Sequence, residues 1–392
     1  MTAPTLSIVI PTRDRYEYLI PLLDALTRFP QGDVEIVVSD NTLDNAPLAE
    51  YLARIRDQRL VYVHTAVPIT MHQNCELALD TARGEYLCML GDDDGLLEWA
   101  PDLARWLASQ NVDAALCNRP IYRWPGVITR VYHHKKTGYV VLRAPSGRTR
   151  AVDVSRELQA MAYDGGTQLH HAPRVYHGLV RRRCMEELKA HCGTYFPGPS
   201  PDIANAVGLC RFVRTMVHVD FPVIVSGTSP RSAGGQGSAG AHIGELESVH
   251  SLPPGTAEAW DVRVPRFWSG PTIWAEGALK ALQATDSPAS INFLSLYASS
   301  LVFHWNYRQR VWDALDAYTS GSVVAKGRCG VMIAWHVVRV VLARAMAFVR
   351  SSAYRYEFPG FIRVTSMPTI RSCIAALHDR YRAGEMPWRT RT

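Results

Sequence analysis

The 392-residue chain is 47% apolar and 20% charged, with 27 glycines and 24 prolines, a balance that excludes collagen-like, low-complexity and disordered classes. At about 150 residues per domain this predicts two or three units, and the eight cysteines, scattered from 75 to 373 with no Cys-x-x-Cys pair, exclude a zinc ribbon and a dense disulfide framework. The net charge of +6 hides an asymmetry: residues 326–392 hold 12 Lys and Arg against 3 Asp and Glu, while residues 1–325 sum to −3.

The first hundred residues alternate strand and helix patterns. Leu6-Ser7-Ile8-Val9-Ile10, closed by Pro11, reads as a buried strand, and residues 16–29 carry apolar positions at helical spacing before Pro30-Gln31-Gly32. Strands follow at Val34-Glu35-Ile36-Val37-Val38, Leu60-Val61-Tyr62-Val63 and residues 85–90, with helices at 47–55 and 71–82. This order predicts an α/β fold, a mostly parallel sheet with helices on both faces and a ligand crevice beyond the carboxyl ends of its strands. Residues 119–176 read as an insertion with strand-like pieces at 127–131 and 139–142 and a basic hairpin tip at His133-His134-Lys135-Lys136. Residues 175–180 read as a further strand, followed by a helical stretch to His191.

The Gly- and Ser-rich stretch 227–244 predicts a mobile loop. Helical patterns then run over 273–283, 291–318 and 331–349. The resulting division is a catalytic unit at 1–226, a flexible loop at 227–249, and a helical, C-terminally basic region at 250–392. The run 331–349 is apolar except for His336, Arg339 and Arg344, and two arginines disfavour a spanning helix. An interfacial helix with snorkelling arginines and a buried or oligomer-forming helix stay open. The basic end predicts a polyanionic partner such as anionic lipid; the alternative is a solvated surface. The opening residues show no basic start and apolar run, so the expected location is cytoplasmic, with peripheral contact through 326–392 at the inner face of a membrane.

The sharpest chemical signal is Leu90-Gly91-Asp92-Asp93-Asp94-Gly95 at a strand end. Three adjacent carboxylates repel one another unless solvated or neutralised, and Mg²⁺ or Mn²⁺ is often held by one or two carboxylates plus substrate phosphates. The plainer reading is an acidic turn capping a helix that begins near Leu96.

The first hundred residues resemble the family 2 glycosyltransferases, which have the GT-A fold. The resemblance is carried by Ser7-Ile8-Val9-Ile10-Pro11-Thr12-Arg13-Asp14-Arg15, by Glu35-Ile36-Val37-Val38-Ser39-Asp40-Asn41, by Asn74 with Ala82-Arg83-Gly84-Glu85-Tyr86, and by the acidic motif. It implies an inverting transferase that moves a sugar from a nucleotide-sugar, expected to be a UDP-sugar, to a saccharide or lipid-linked saccharide acceptor, with Mn²⁺ or Mg²⁺ as cofactor. The setting it implies is bacterial surface-polysaccharide or glycolipid synthesis; no nucleic-acid partner is expected, and an oligomer stays open.

By the same resemblance, Pro11, Thr12 and Arg13 would line the nucleotide base, Asp40 would accept a hydrogen bond from it, and Asn74 would lie under the nucleoside. Asp92 would face the ribose or sugar, and Asp93 would ligate the metal with Asp94 as second or alternative ligand. Asp202, where the family has Glu-Asp and this chain has Pro201-Asp202, would be the general base, against the plainer reading of a helix cap. His177 is a candidate contact to acceptor or leaving phosphate, against a structural histidine. Two rivals stay open: a nucleotide-sugar-binding protein without transfer, and a sugar nucleotidyltransferase, which the lack of glycine in residues 11–15 disfavours.

Overall fold

The apolar run at the start of the chain is buried on both faces, as a central parallel strand should be. In the computed structural model, which describes residues 3–29, 32–127, 138–238, 243–249, 252–355, 358–381, 386 and 388, it forms β1 (Leu6–Thr12). The other strands are β2 (Val34–Asp40), β3 (Leu60–His64), β4 (Tyr86–Met89), β5 (Gly95–Leu96), β6 (Ala114–Asn118), β7 (Ile121–Arg123), β8 (Gly138–Arg143), β9 (Thr149–Ala151), β10 (Leu179–Arg181), β11 (Met216–Pro222), β12 (Ile224–Thr228) and β13 (Phe361–Met367). Among the described residues eight of them make one sheet in the order β3-β2-β1-β4-β10-β6-β11-β9, and five make a second in the order β13-β8-β7-β12-β5. The quartet β3-β2-β1-β4 is parallel, β10 runs antiparallel between β4 and β6, and β9 runs antiparallel to β11, so the main sheet is mixed.

Alternation along β1 and β2 divides the core. Ile8, Ile10, Ile36 and Val38 face one cluster with helices Tyr16–Leu26 and Ala100–Ser109. Val9 and Val37 face the other, with Cys75, Ala78 and Leu79 of helix Met71–Thr81. That helix starts at a capping box in which Thr70 and Gln73 satisfy each other's backbone N–H groups. A third cluster fills the helical region, where helices Gly270–Ala284 and Phe293–Phe303 pack with Ile203, Ala204 and Val207. Helix Pro201–Leu209 thus joins the sheet to the helical region, with Leu209 in the sheet's core and Ile203 in the helical one.

Several expectations are corrected. The apolar run 175–180 is strand only from Leu179; before it Tyr176 makes a single bridge to Met89, and His177 adopts a left-handed φ of 60° that breaks extended backbone. No helix begins near Leu96: Gly95 and Leu96 form β5 and the helix starts at Ala100. The run 291–318 is two helices, Phe293–Phe303 and Arg308–Tyr318, with a 3₁₀ turn at Trp305–Tyr307. The run 331–349 lies inside a longer helix, Val323–Arg355. The strand-like piece 139–142 falls in β8, whereas residues 128–131 and His133-His134-Lys135-Lys136 lie outside the described residues.

The chain's end returns to its beginning. β13 pairs antiparallel with β8, and helix Ile370–Tyr381 buries Ile370, Cys373, Ile374 and Leu377 in the first core.

Candidate active site

The carboxyl ends of β1, β2 and β4 converge, and the chain places its polar residues there. Ser39 donates to Asn74 Oδ1 at 2.7 Å, and Asn74 Nδ2 donates to the carbonyls of Thr12 and Ser39. Asn74 therefore ties β1 to β2, with its amide committed to the protein. Asp40 is fully buried: Tyr16 and Tyr62 donate to its Oδ2 at 2.6 and 2.9 Å, and the Thr42 N–H to its Oδ1 at 2.9 Å. Burial first, and then this carboxylate, raise the Tyr16 phenol well above its ordinary range. Three of the roughly four acceptor positions of Asp40 are used, so the structure makes it a buried anchor at the end of β2 before any base contact. Pro11 is half-buried, and Arg13 is exposed beside Asp14.

The acidic motif separates into three roles. Asp94 has no exposure: its Oδ2 accepts from His177 Nε2 at 2.6 Å and from the Gly91 N–H at 2.7 Å, and its Oδ1 from the Gly227 N–H at 2.7 Å. Burial alone would raise its pKa, but these donors outweigh burial and hold it below the usual carboxylate range. Expected as an alternative metal ligand, Asp94 is instead turned inward and fastens the end of β12. Asp93 Oδ2 accepts the Ser229 N–H at 2.9 Å, so the stretch expected to be a mobile loop from 227 begins as the last two residues of β12 and a docked turn, and continues as a helix at Ala233–Ser238.

Arg15 sits between the two other carboxylates, with Nε 2.8 Å from Asp92 and Nη2 3.1 Å from Asp93. Thr12 donates to the second oxygen of Asp92 at 2.9 Å. Burial, only partly offset by Arg15 and reinforced by Asp93, raises Asp92 to about 7. Sequence reasoning cited Arg15 only as part of the first motif and gave it no role. Its signal was the three-carboxylate run itself, which needs a cation.

Asp202 lies within electrostatic reach of Tyr176, whose ring stacks on His177 at 3.9 Å. It is half-buried in the first turn of helix Pro201–Leu209 and makes no hydrogen bond among the described residues, so it is not the cap of its helix. Burial raises its pKa, Asp94 adds to the rise, and His177, Arg174 and Arg119 oppose it. His177 is buried with both ring nitrogens committed: Arg119 Nη1 donates to Nδ1 at 2.8 Å, which leaves Nε2–H to donate to Asp94. His177 thus positions Arg119 toward Asp202 and has no nitrogen left for substrate. Arg119 and Arg174 are cations the sequence did not single out. Arg174 is held by the carbonyls of His170 and Ala172, and burial lowers it to about 10.

Among the described residues no group of three or more His, Cys, Asp or Glu side chains converges as a metal cage. Asp93 Oδ1 is the one carboxylate oxygen of Asp92, Asp93 and Asp94 with neither a hydrogen bond nor an ion pair among the described residues. One carboxylate oxygen, completed by substrate phosphate and water, suits Mg²⁺ or Mn²⁺; the residues fit a cation that arrives with the nucleotide.

The strand end thus carries a carboxylate pair, Asp92 and Asp93, clamped by one arginine. Residues 7–167 match the family model Glycosyl transferase family 2. A "PGL/p-HBAD biosynthesis glycosyltransferase" of Mycobacterium bovis (strain BCG / Pasteur 1173P2) is 35% identical over 107 residues, 27% of this chain and 41% of the relative. The colanic acid biosynthesis glycosyl transferase WcaA of Escherichia coli K12 is 29% identical over 100 residues, 25% of this chain and 35% of the relative. The chain therefore spans about two fifths of the length of the curated relatives it matches. Among solved structures, S. aureus TarS 1–349 in complex with UDP-GlcNAc aligns with a TM-score of 0.45 at 14% identity, covering 81% of this chain and 92% of that one. The mannosyltransferase PcManGT from Pyrobaculum calidifontis, in complex with GDP-Man and Mn²⁺, aligns with a TM-score of 0.38 at 17% identity, covering 86% and 88%.

Proposed function

We propose that the protein transfers a sugar, with inversion, from a nucleotide-sugar to an acceptor hydroxyl. The observation that carries the reading is Asp202, a half-buried carboxylate without a hydrogen bond among the described residues, lying within electrostatic reach of Tyr176, His177 and Asp94 of the acidic motif. An acceptor hydroxyl is a weak nucleophile at neutral pH, and Asp202 takes its proton as it attacks the anomeric carbon. The raised pKa makes Asp202 a stronger base than an exposed carboxylate. The departing diphosphate gains charge, which Arg15 and Arg119 offset from fixed positions. A divalent cation held by Asp93 would supply further Lewis-acid stabilisation of that charge.

A UDP-sugar is the donor we favour, and the relatives named for PGL/p-HBAD and colanic acid biosynthesis support an acceptor in glycolipid or surface-polysaccharide synthesis. A cavity of about 360 Å³ lined by His72, Thr194, Phe196 and Lys280 adjoins the loop that leads to Asp202, and the acceptor would approach from that side.

The test is a thermal-shift panel of UDP-, GDP-, CMP- and dTDP-sugars with and without Mn²⁺, since a ligand that binds only the folded state raises the midpoint. The reading expects one nucleotide class to raise it, more so with Mn²⁺, while Mn²⁺ alone does little. No shift from any nucleotide-sugar contradicts it.

A further inference from the structure

Helix Val323–Arg355 is the one element among the described residues that is long and apolar enough to cross a membrane by length and composition, yet 11% of its apolar window is buried. Its inward side is accounted for: Ile333 and His336 are buried against helix Phe293–Phe303, Arg339 Nη2 donates to Ser295 at 2.7 Å, and Arg339 pairs with Asp164. Its outward side is not. Val331, Trp335, Val338, Leu342, Met346 and Val349 recur at intervals of three or four residues, which puts them on one face. Each is between 52% and 74% exposed. From Val331 to Val349 this stripe is about 27 Å long.

Charge selects the occupant. The 33 residues of the helix include six Lys and Arg and no Asp or Glu. A second copy docked along this stripe would set cations against cations with no acidic residue of the helix to pair them. The helix also cannot leave the body to span a bilayer: Lys326 is paired with Asp316 at 2.6 Å near its start, and beyond its end the chain re-enters the second sheet as β13. We infer that this face is a membrane-docking surface, on which the helix lies in the plane of an anionic bilayer, its apolar stripe among the acyl chains and Arg328 and Arg350 at the headgroups.

The experiment is flotation of the full-length protein with phosphatidylcholine vesicles, with and without phosphatidylglycerol, alongside light scattering of the protein alone. Co-flotation is expected with the anionic vesicles at low salt and is weakened by high salt. Trp335→Glu with Leu342→Glu is expected to abolish it at an unchanged melting temperature. Arg328→Gln and Arg350→Gln are expected to weaken partition by about five-fold each. A full-length protein that stays in the soluble fraction at low salt overturns the inference. So does a wild-type dimer that Trp335→Glu with Leu342→Glu converts to monomer without any vesicle binding, since the stripe would then belong to a second copy.

Discussion

Arg15 decides whether the acidic motif can fold. Asp92 and Asp93 are 5% and 4% exposed, so removing their shared cation leaves two carboxylates buried side by side. Arg15→Ala is expected to cost about 3 kcal/mol of stability, the lower end for breaking a buried ion pair; urea denaturation measures it, and a change near zero means that the pair is solvated instead. Asp202 makes the opposite kind of prediction, because it makes no hydrogen bond among the described residues. It acts as a base only when deprotonated, and burial raises its pKa. Activity should therefore fall as pH falls through a limb set above the ordinary carboxylate range. That limb disappears from the pH–rate profile of Asp202→Asn, whose residual rate stays flat.

At the scale of elements, the end of β12 and the turn after it are fixed by N–H bonds to the carboxylates of the acidic motif. A Cβ on Gly227 would lie 1.7 Å from the Asp93 carbonyl oxygen. Gly227→Ala must push the turn away, lose the N–H bond to Asp94, and destabilise by about 1–3 kcal/mol, the usual cost of overpacking. Thermal unfolding of the variant checks this, and an unchanged midpoint means that the turn is not docked. The same contacts show what the sequence could and could not tell. The first four strands and the burial of β1 were legible because an unbroken apolar run marks a strand covered on both faces. The family-like residues Ser7, Glu35, Arg83 and Gly84 were legible as a group but not in purpose. The Ser7 hydroxyl donates to Glu35 at 2.5 Å and accepts from the Gly84 N–H at 2.7 Å, while a Cβ on Gly84 would lie 2.5 Å from the Ser7 nitrogen. They knot three strands together and touch no substrate. Asp202 was legible as a carboxylate on a Pro-rich loop; that Asp94 turns inward was not, because its partners His177 and Gly227 are 83 and 133 residues away.

At the scale of the molecule, the chain's end is part of its first core. β13 completes the second sheet and helix Ile370–Tyr381 buries four side chains beside helix Tyr16–Leu26. Each such side chain contributes about 1.5–3 kcal/mol on burial, so their loss together exceeds much of a typical domain's stability of about 5–15 kcal/mol. Truncation after residue 358 is expected to give insoluble or unfolded protein; a soluble, cooperatively melting product means that the end is an appendage. Point substitutions rather than deletions are therefore the sound way to probe the basic region.

The central claim is that a bound nucleotide-sugar loses its sugar to a hydroxyl deprotonated by Asp202, and nucleotide release measured beside donor affinity tests it most directly. With a donor that binds, and water or a simple saccharide as acceptor, the wild-type protein should release the nucleotide. Asp202→Asn should bind the donor with unchanged affinity and release nucleotide about 10²–10⁴-fold more slowly. An Asp202→Asn protein that turns over at the wild-type rate, or one that can no longer bind the donor, would contradict the account.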